Sequence, residues 1–419
     1  MPQPASVSRP VERAALSPQA VRLAVVVAAL GYFVDIYDLL LFSIVRIPSL
    51  RGIGVPADQI LGQGVLLLNM QMGGMLLGGI LWGILGDKRG RLTVLFGSIV
   101  MYSLANIANG FVATVPQYAV LRFIAGVGLA GELGAGITLV SEIMPAHSRG
   151  YGTMIVATVG VTGAVVASQV GAAFDWRTAY FIGGGMGLAL FVLRVGVAES
   201  GMFQGLEHAS VARGDFWSLI ASPKTRGKYV RVVLIGAPIW YVIGILIALS
   251  PELGAAMNMA TPPDAGRAVM FAYIGLAIGD FASGGLSQLI KSRNRVVGIF
   301  VGLTTLFIGA YFTIAHLSLT VFYVVCLLLG IAVGYWAVFV TIASEQFGTN
   351  IRATVTTTAP NFVRGSLVLL TLAFQALRPS VGIQVSAMIV GGVALAIACV
   401  SLWGLEETYG KDLDYLELP

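Results

Sequence analysis

Asp35 and Asp38 stand three residues apart in an otherwise apolar run, VRLAVVVAALGYFVDIYDLLLFSIV, and that spacing puts both carboxylates on one face of a helix. Arg122 opens RFIAGVGLAGE and Glu132 closes it. Asp280 interrupts AYIGLAIGDFASGG, and Arg364 follows Asn361 by three in APNFVRGSLVLL. An ionised side chain in such surroundings costs free energy unless it is paired or faces water, so each marks an ion pair or the path of something charged. Arginine presents a planar fork that grips a carboxylate in bidentate fashion. Arg364, with Asn361 on the same face, therefore points to an anionic ligand, unless it and Asp280 neutralise each other. Asp38 lies about seven residues inward from one end of its run and Arg122 about seven from the matching end of its own, which at 1.5 Å per residue is a shared depth of roughly 10 Å. A carboxylate that gains and loses a guanidinium partner binds and releases a proton, whereas a permanent pair only orients its helices. Asp35 pushes towards proton exchange, because like charges resist joint ionisation. Glu132 suits either a proton path or a packing hydrogen bond. Gln71, Gln169, Trp240, Tyr241, Tyr273, Tyr335 and Trp336 could complete a cavity, with polar groups orienting a ligand and rings lining it; taken alone, each such residue more often packs or anchors at the interface than contacts a ligand.

The elements that carry these residues follow from composition. Of 419 residues, 57% are hydrophobic and 11% charged, against about 25% charged in a soluble domain. The surroundings are lipid. Runs long enough to cross a hydrocarbon core, roughly 20 helical residues each, can be bracketed twelve times. They cover 20–46, 60–86, 91–112, 115–143, 150–173, 176–198, 229–251, 266–290, 295–315, 317–346, 350–377 and 381–404. The expected fold class is an all-α membrane protein of twelve transmembrane helices. The 53 glycines suit close helix packing. The first run is too long and too polar at its centre for a signal h-region and is expected to stay in the mature protein. Cys326 and Cys399 fall in separate spans and suggest neither a disulfide nor a metal site. His147, His208 and His316 have no ligand-spaced partner, which argues against a membrane-embedded enzyme.

Basic residues choose a side. Arg9, Arg13, Arg22, the cluster at 87–91, Arg149, the segment Arg213–Arg231, the cluster at 291–295 and Arg352 share one side of a twelve-span arrangement; the other shows little beyond Arg46, Arg51, Arg177, Arg267 and Arg378. Both termini are thus expected in the cytoplasm of a plasma membrane. The net charge of +5 reflects this bias and gives no reason to invoke nucleic acid. A shift of 203–204 residues lays Lys88-Arg89-Gly90-Arg91 on Ser292-Arg293-Asn294-Arg295, and Ser141, Glu142 and Arg149 on Ser344, Glu345 and Arg352. A fixed offset of this kind marks an internal repeat. The expected organisation is a tail at 1–19, a six-helix bundle at 20–198, a linker at 199–228, a second bundle at 229–404 and a tail at 405–419. Two such halves facing each other, with a site near the midplane, form a rocker-type secondary transporter.

Gly83, Asp87, Lys88, Gly90 and Arg91 resemble the loop signature between helices 2 and 3 of the major facilitator superfamily. RFIAGVGLAGE resembles its helix 4 signature. FVDIYDLLLF at 33–42, AGELGAG at 130–136, ESGMF at 199–203 and EETYGKDL at 406–413 are similar to the metabolite:proton symporters and their sugar-porter relatives, although Gly201 stands where those relatives usually carry proline. The resemblance implies two pseudo-symmetric six-helix bundles working by alternating access, and coupling through Asp35, Asp38, Arg122 and Glu132. It also implies a gate of Gly83, Asp87, Lys88, Arg91, Glu142, Arg149, Arg293, Glu345 and Arg352, in which loop cations pair with carboxylates across the ends of the halves and rocking breaks those pairs. The expected activity is proton-coupled symport of a small organic anion such as a carboxylate metabolite, by a monomer with no cofactor beyond the coupling proton. The rivals are a sugar or other neutral-metabolite symporter, a transport-dead receptor and a drug:proton antiporter; exporters usually carry a Gly-Pro motif in the fifth span, and VGVTGAVVASQVGAAF has no proline.

Overall fold

A computed structural model describes residues 18–89, 91–132, 134, 136, 149–199, 216, 219 and 222–411. Among the described residues there is no strand, and nine helices are long and apolar enough to cross a membrane, with Thr93–Asn109 and Val115–Leu129 as shorter apolar helices. In chain order the helices are α1 (Pro18–Gly52), α2 (Ile60–Arg89), α3 (Arg91–Asn109), α4 (Val115–Leu129), α5 (Arg149–Ala173), α6 (Trp176–Glu199) and α7 (Pro223–Tyr241). There follow α8 (Ser250–Ala256), α9 (Ala265–Ile290), α10 (Arg293–Thr313), α11 (Leu319–Val333), α12 (Trp336–Glu345) and α13 (Thr349–Trp403).

Four expected spans are built from broken or fused pieces, each for a local reason. Pro238 near the end of α7 has no N–H to donate, and the chain continues through a π-helical segment, Val242–Ile247, into α8. The tenth span divides into α11 and α12 at Gly334 and Tyr335, where Gly334 lies against the backbone of Gly279 and Asp280 too closely for any Cβ. At 55 residues α13 would run about 80 Å, far beyond a single crossing of about 30 Å. Gly382, at φ 79° and ψ 173°, bends it into two, slightly past the expected turn at 378–380; a side chain would be strained at that φ.

Helix pairs recur along the chain. α1 packs along α5 and α2 along α4; correspondingly α7 packs along α13 and α9 along α11. The α2–α4 crossing is tight because Gly126 rests on the carbonyl of Gln71, where a Cβ has no room. The two sets meet along α2 with α13 and α5 with α9. Thr371 hydrogen-bonds Asn69 at 2.5 Å, Asn361 donates to the Ala130 carbonyl at 2.9 Å and Ser168 donates to the Gly266 carbonyl at 2.8 Å. The end that carries the α2–α3 and α9–α10 connections is called the basic end below.

Candidate functional site

A cavity lies where the two sets of helices face each other. α1 contributes Tyr32, Ile36 and Leu39, α5 Val161, and α7 with its π segment Ile239, Trp240 and Ile243; Tyr273 and Leu276 come from α9, Trp336 from α12 and Arg364 from α13. The π segment and the α11–α12 break both border this space, so the irregular backbone lines a cavity, where a membrane protein tolerates it. Arg364 is 1% exposed, and its guanidinium carbon stands 5.7 Å from the Trp336 ring centroid. Its Nη2 lies 3.8 Å from Oδ2 of Asp35, whose side chain is fully buried. Nε and Nη1 of Arg364 and both oxygens of Asp35 have no hydrogen-bond partner. Two donors of a buried cation thus stand open beside a wall of rings.

The other pairings differ from those expected. Asp38 and Arg122 form no ion pair within 4 Å among the described residues. Arg122 donates instead to Asn106 Oδ1 at 2.6 Å and Gln71 Oε1 at 3.3 Å, and lies over the rings of Tyr180 and Phe42. Equal depth fixes height along the membrane normal, and Asn106 occupies the ground between the two charges. Asp280 does not neutralise Arg364. Its carboxylate accepts from the Ala337 N–H at 2.9 Å, capping the start of α12, where the unpaired N–H groups and the positive end of the helix dipole favour an anion. Glu132 is held in bidentate fashion by Arg194 of α6, with Gly31 of α1 against the pair.

Several polar candidates are used by the scaffold. Asn361 spends its amide on the Ala130 and Thr357 carbonyls. Gln71 bridges the Leu39 carbonyl and Arg122. Tyr241 donates to the Ala387 carbonyl and Tyr335 to that of Ile235, both buried, while Gln169 contacts Met270 Sδ away from the cavity. None of these five lines the cavity; Trp240, Tyr273 and Trp336 do.

Residues 24–370 match the sequence profile of the Major Facilitator Superfamily. The chain belongs to that superfamily. It is 28% identical over 384 residues to the niacin transporter NiaP of Acinetobacter baylyi, covering 82% of this chain and 85% of that one. It is 28% identical over 269 residues to the 3-(3-hydroxy-phenyl)propionate transporter of Escherichia coli, covering 61% and 65%. With the benzoate transport protein of Acinetobacter baylyi it shares 30% identity over 120 residues, 26% of each chain. The protein is an integral membrane transporter of the major facilitator fold that carries small molecules, and it is not an enzyme.

At the basic end of this major facilitator protein, Gly83 packs against Thr358. The backbones of Asp87 and Lys88 end α2, and those of Arg91 and Arg149 begin α3 and α5; their side chains, and Glu142, lie outside the described residues. Glu345 was expected to pair across the halves. Its partners are Arg293 at 3.3 Å and the Thr408 hydroxyl at 2.7 Å, both from the second half of the chain, because the segment after α13 folds back over the α9–α10 connection. Arg352 donates to the Ser344 and Phe347 carbonyls. Glu407, in the EETYGKDL motif, accepts from the Ser292 hydroxyl and from the N–H groups of Arg293, Asn294, Thr408 and Tyr409. Partial burial works against its charge, but the bonds from Ser292 and the backbone outweigh it and hold the carboxyl below its ordinary range. At the opposite end Arg46 of α1 bonds Glu252 of α8 at 2.8 Å and the Ala248 carbonyl at 3.3 Å. That pair joins the halves.

Proposed function

We propose that the protein takes up small aromatic carboxylates by proton-coupled symport, as a monomer in the cytoplasmic membrane with both termini inside. The observation that carries this reading is the open guanidinium of Arg364 in a cavity walled by Tyr32, Trp240, Tyr273 and Trp336. A carboxylate fits the unused donors in bidentate fashion, and a planar ring fits the aromatic faces. The names of the relatives support it, since niacin, hydroxyphenylpropionate and benzoate each join an aromatic ring to a carboxylate. A neutral sugar would offer the unused Arg364 donors no charged acceptor, and hydrogen bonds to a charged acceptor are the stronger ones. The units 20–198 and 229–404 rock about the cavity; with the termini inside, the Arg46–Glu252 pair closes the outer face and the gate residues from Gly83 to Arg352 act at the inner one. The coupling carboxylate belongs to α1, which carries Asp35 beside Arg364 and Asp38 near Arg122, while Glu132 is occupied by Arg194.

The test is uptake of labelled benzoate and nicotinate into proteoliposomes, with the outside more acidic than the lumen. Accumulation above equilibrium that a protonophore abolishes is the expected result. Accumulation of a neutral sugar but of neither acid would overturn the reading.

A further inference from the structure

Asp35 and Arg364 are two charges that have left water without finding hydrogen bonds between them. Asp35 and Arg364 approach to 3.8 Å, beyond the 2.7–2.9 Å of a charge-assisted hydrogen bond. Both Asp35 oxygens and two of the Arg364 nitrogens have no other partner. Such a pair balances charge without being locked in geometry, and an incoming carboxylate that can make two short bonds to the guanidinium is a better partner than Asp35.

The groups around Asp35 give it no second counter-charge. On α1 itself stand Tyr32, against the same guanidinium, and Asp38, which faces Arg122 and Asn106. α9 contributes Tyr273, and Asp280 is taken by the start of α12. Glu132 of α4 is held by Arg194 of α6, and Tyr102 of α3 faces that pair and Asp38. The described side chains of α5 and α2 are uncharged.

We propose that Asp35 and the substrate carboxylate compete for Arg364, so that the anion is held only after Asp35 has taken a proton from water. The inference rests on the reading of Arg364 as the carboxylate grip and adds how the proton is coupled. With Asp35 ionised and no ligand, the cavity is neutral. An anion bound beside ionised Asp35 leaves a net negative charge buried, which is strongly penalised. Protonating Asp35 restores neutrality. The two neutral forms, empty with ionised Asp35 and loaded with protonated Asp35, are the ones that rock across the membrane. One proton therefore travels with each monocarboxylate and no net charge moves.

The experiment is binding of benzoate to purified protein from about pH 5.5 to 8.5, where benzoate stays ionised, together with proton uptake in weak buffer. For the wild type, affinity falls about tenfold per pH unit on the alkaline side, and about one proton is taken up per benzoate bound there. Asp35→Asn keeps the shape and removes the titration, so its binding is tight and flat with pH. Where Asp35→Asn does not fold, Asp35→Glu serves, with the slope retained and its midpoint displaced. A slope retained in Asp35→Asn, or benzoate bound by the wild type at alkaline pH without proton uptake, overturns the proposal while leaving the Arg364 grip standing. Failure of benzoate and nicotinate to bind the wild type at any pH removes the grip itself, and the proposal with it. Uptake into proteoliposomes supplies a further readout: an imposed potassium diffusion potential leaves the rate unchanged, and a rate that follows the potential contradicts one-to-one exchange.

Discussion

Arg122 and Arg364 are both fully buried, and both face a carboxylate of α1, yet their surroundings differ. Arg122 spends Nη1 on Gln71 and Nη2 on Asn106, with only Nε unpartnered, and lies over the rings of Tyr180 and Phe42. Arg364 has Asp35 at 3.8 Å and two nitrogens with nothing to bond. Arg122 serves the architecture, and Arg364 is left open to a ligand. The difference shows that a buried charge alone does not mark a site. An unfilled hydrogen-bonding capacity facing a cavity does, because a buried donor without a partner is costly and a ligand can remove that cost.

The largest expected effect separates the two arginines by readout. Arg364→Ala should lower affinity for benzoate by more than about thirtyfold, since truncating one side of a buried charged contact costs about 2–5 kcal/mol. Arg122→Ala should instead appear in stability, by about 1–3 kcal/mol, because it leaves the buried Asn106 and Gln71 oxygens without their donor. Affinity in the folded fraction should change little. Equal affinity losses in the two variants, measured by titration calorimetry, would erase the distinction. A smaller effect sharpens the Arg364 side. Trp336→Ala should weaken benzoate binding about three- to thirtyfold, by removing a cation–π contact of about 0.5–2 kcal/mol and one wall of the cavity. An unchanged affinity would place the ligand elsewhere.

The sequence made the fold legible because membrane helices announce themselves by length and apolar content, which hold whatever their neighbours are. Pairing was legible only in part. Asp38 and Arg122 share a depth, but azimuth decides which charges meet, and a run of apolar residues carries no azimuthal signal until the helices are packed. For the same reason nothing in the sequence singles out Arg194 as the partner of Glu132. The partner of Asp280 was not legible because the break at Gly334 and Tyr335 is not visible in hydropathy, and the carboxylate caps the helix start that the break creates. Trp240, Tyr273, Trp336 and Arg364 could be chosen from sequence because their types are unusual inside spans. Tyr241 and Tyr335 are of the same types, and their hydroxyls are spent on backbone carbonyls.

The smallest effect comes from a carboxylate that is the opposite of Asp35. Glu407 has five donors where Asp35 has none. Its carboxyl lies below the ordinary range, so it contributes stability that is fully present above the unfolded value of about 4.3 and is lost as pH falls through the folded value. The group is largely exposed, and screening limits the contribution to less than about 1 kcal/mol. Glu407→Gln should therefore raise hydrogen exchange in residues 405–411 at neutral pH, with the difference from wild type vanishing in acid. A difference that grows in acid would reverse the sign of this argument.

The central claim is that Arg364 holds a carboxylate, and the most direct measurement compares benzoate with benzamide, its near-isosteric neutral analogue, on the same purified protein by calorimetry. The account predicts that wild type prefers benzoate by more than about tenfold at acidic pH, the worth of a hydrogen bond to a charged group being about 1.5–3 kcal/mol, and that Arg364→Ala loses the preference. Benzamide binding the wild type as tightly as benzoate, or a preference for benzoate that survives in Arg364→Ala, would contradict it.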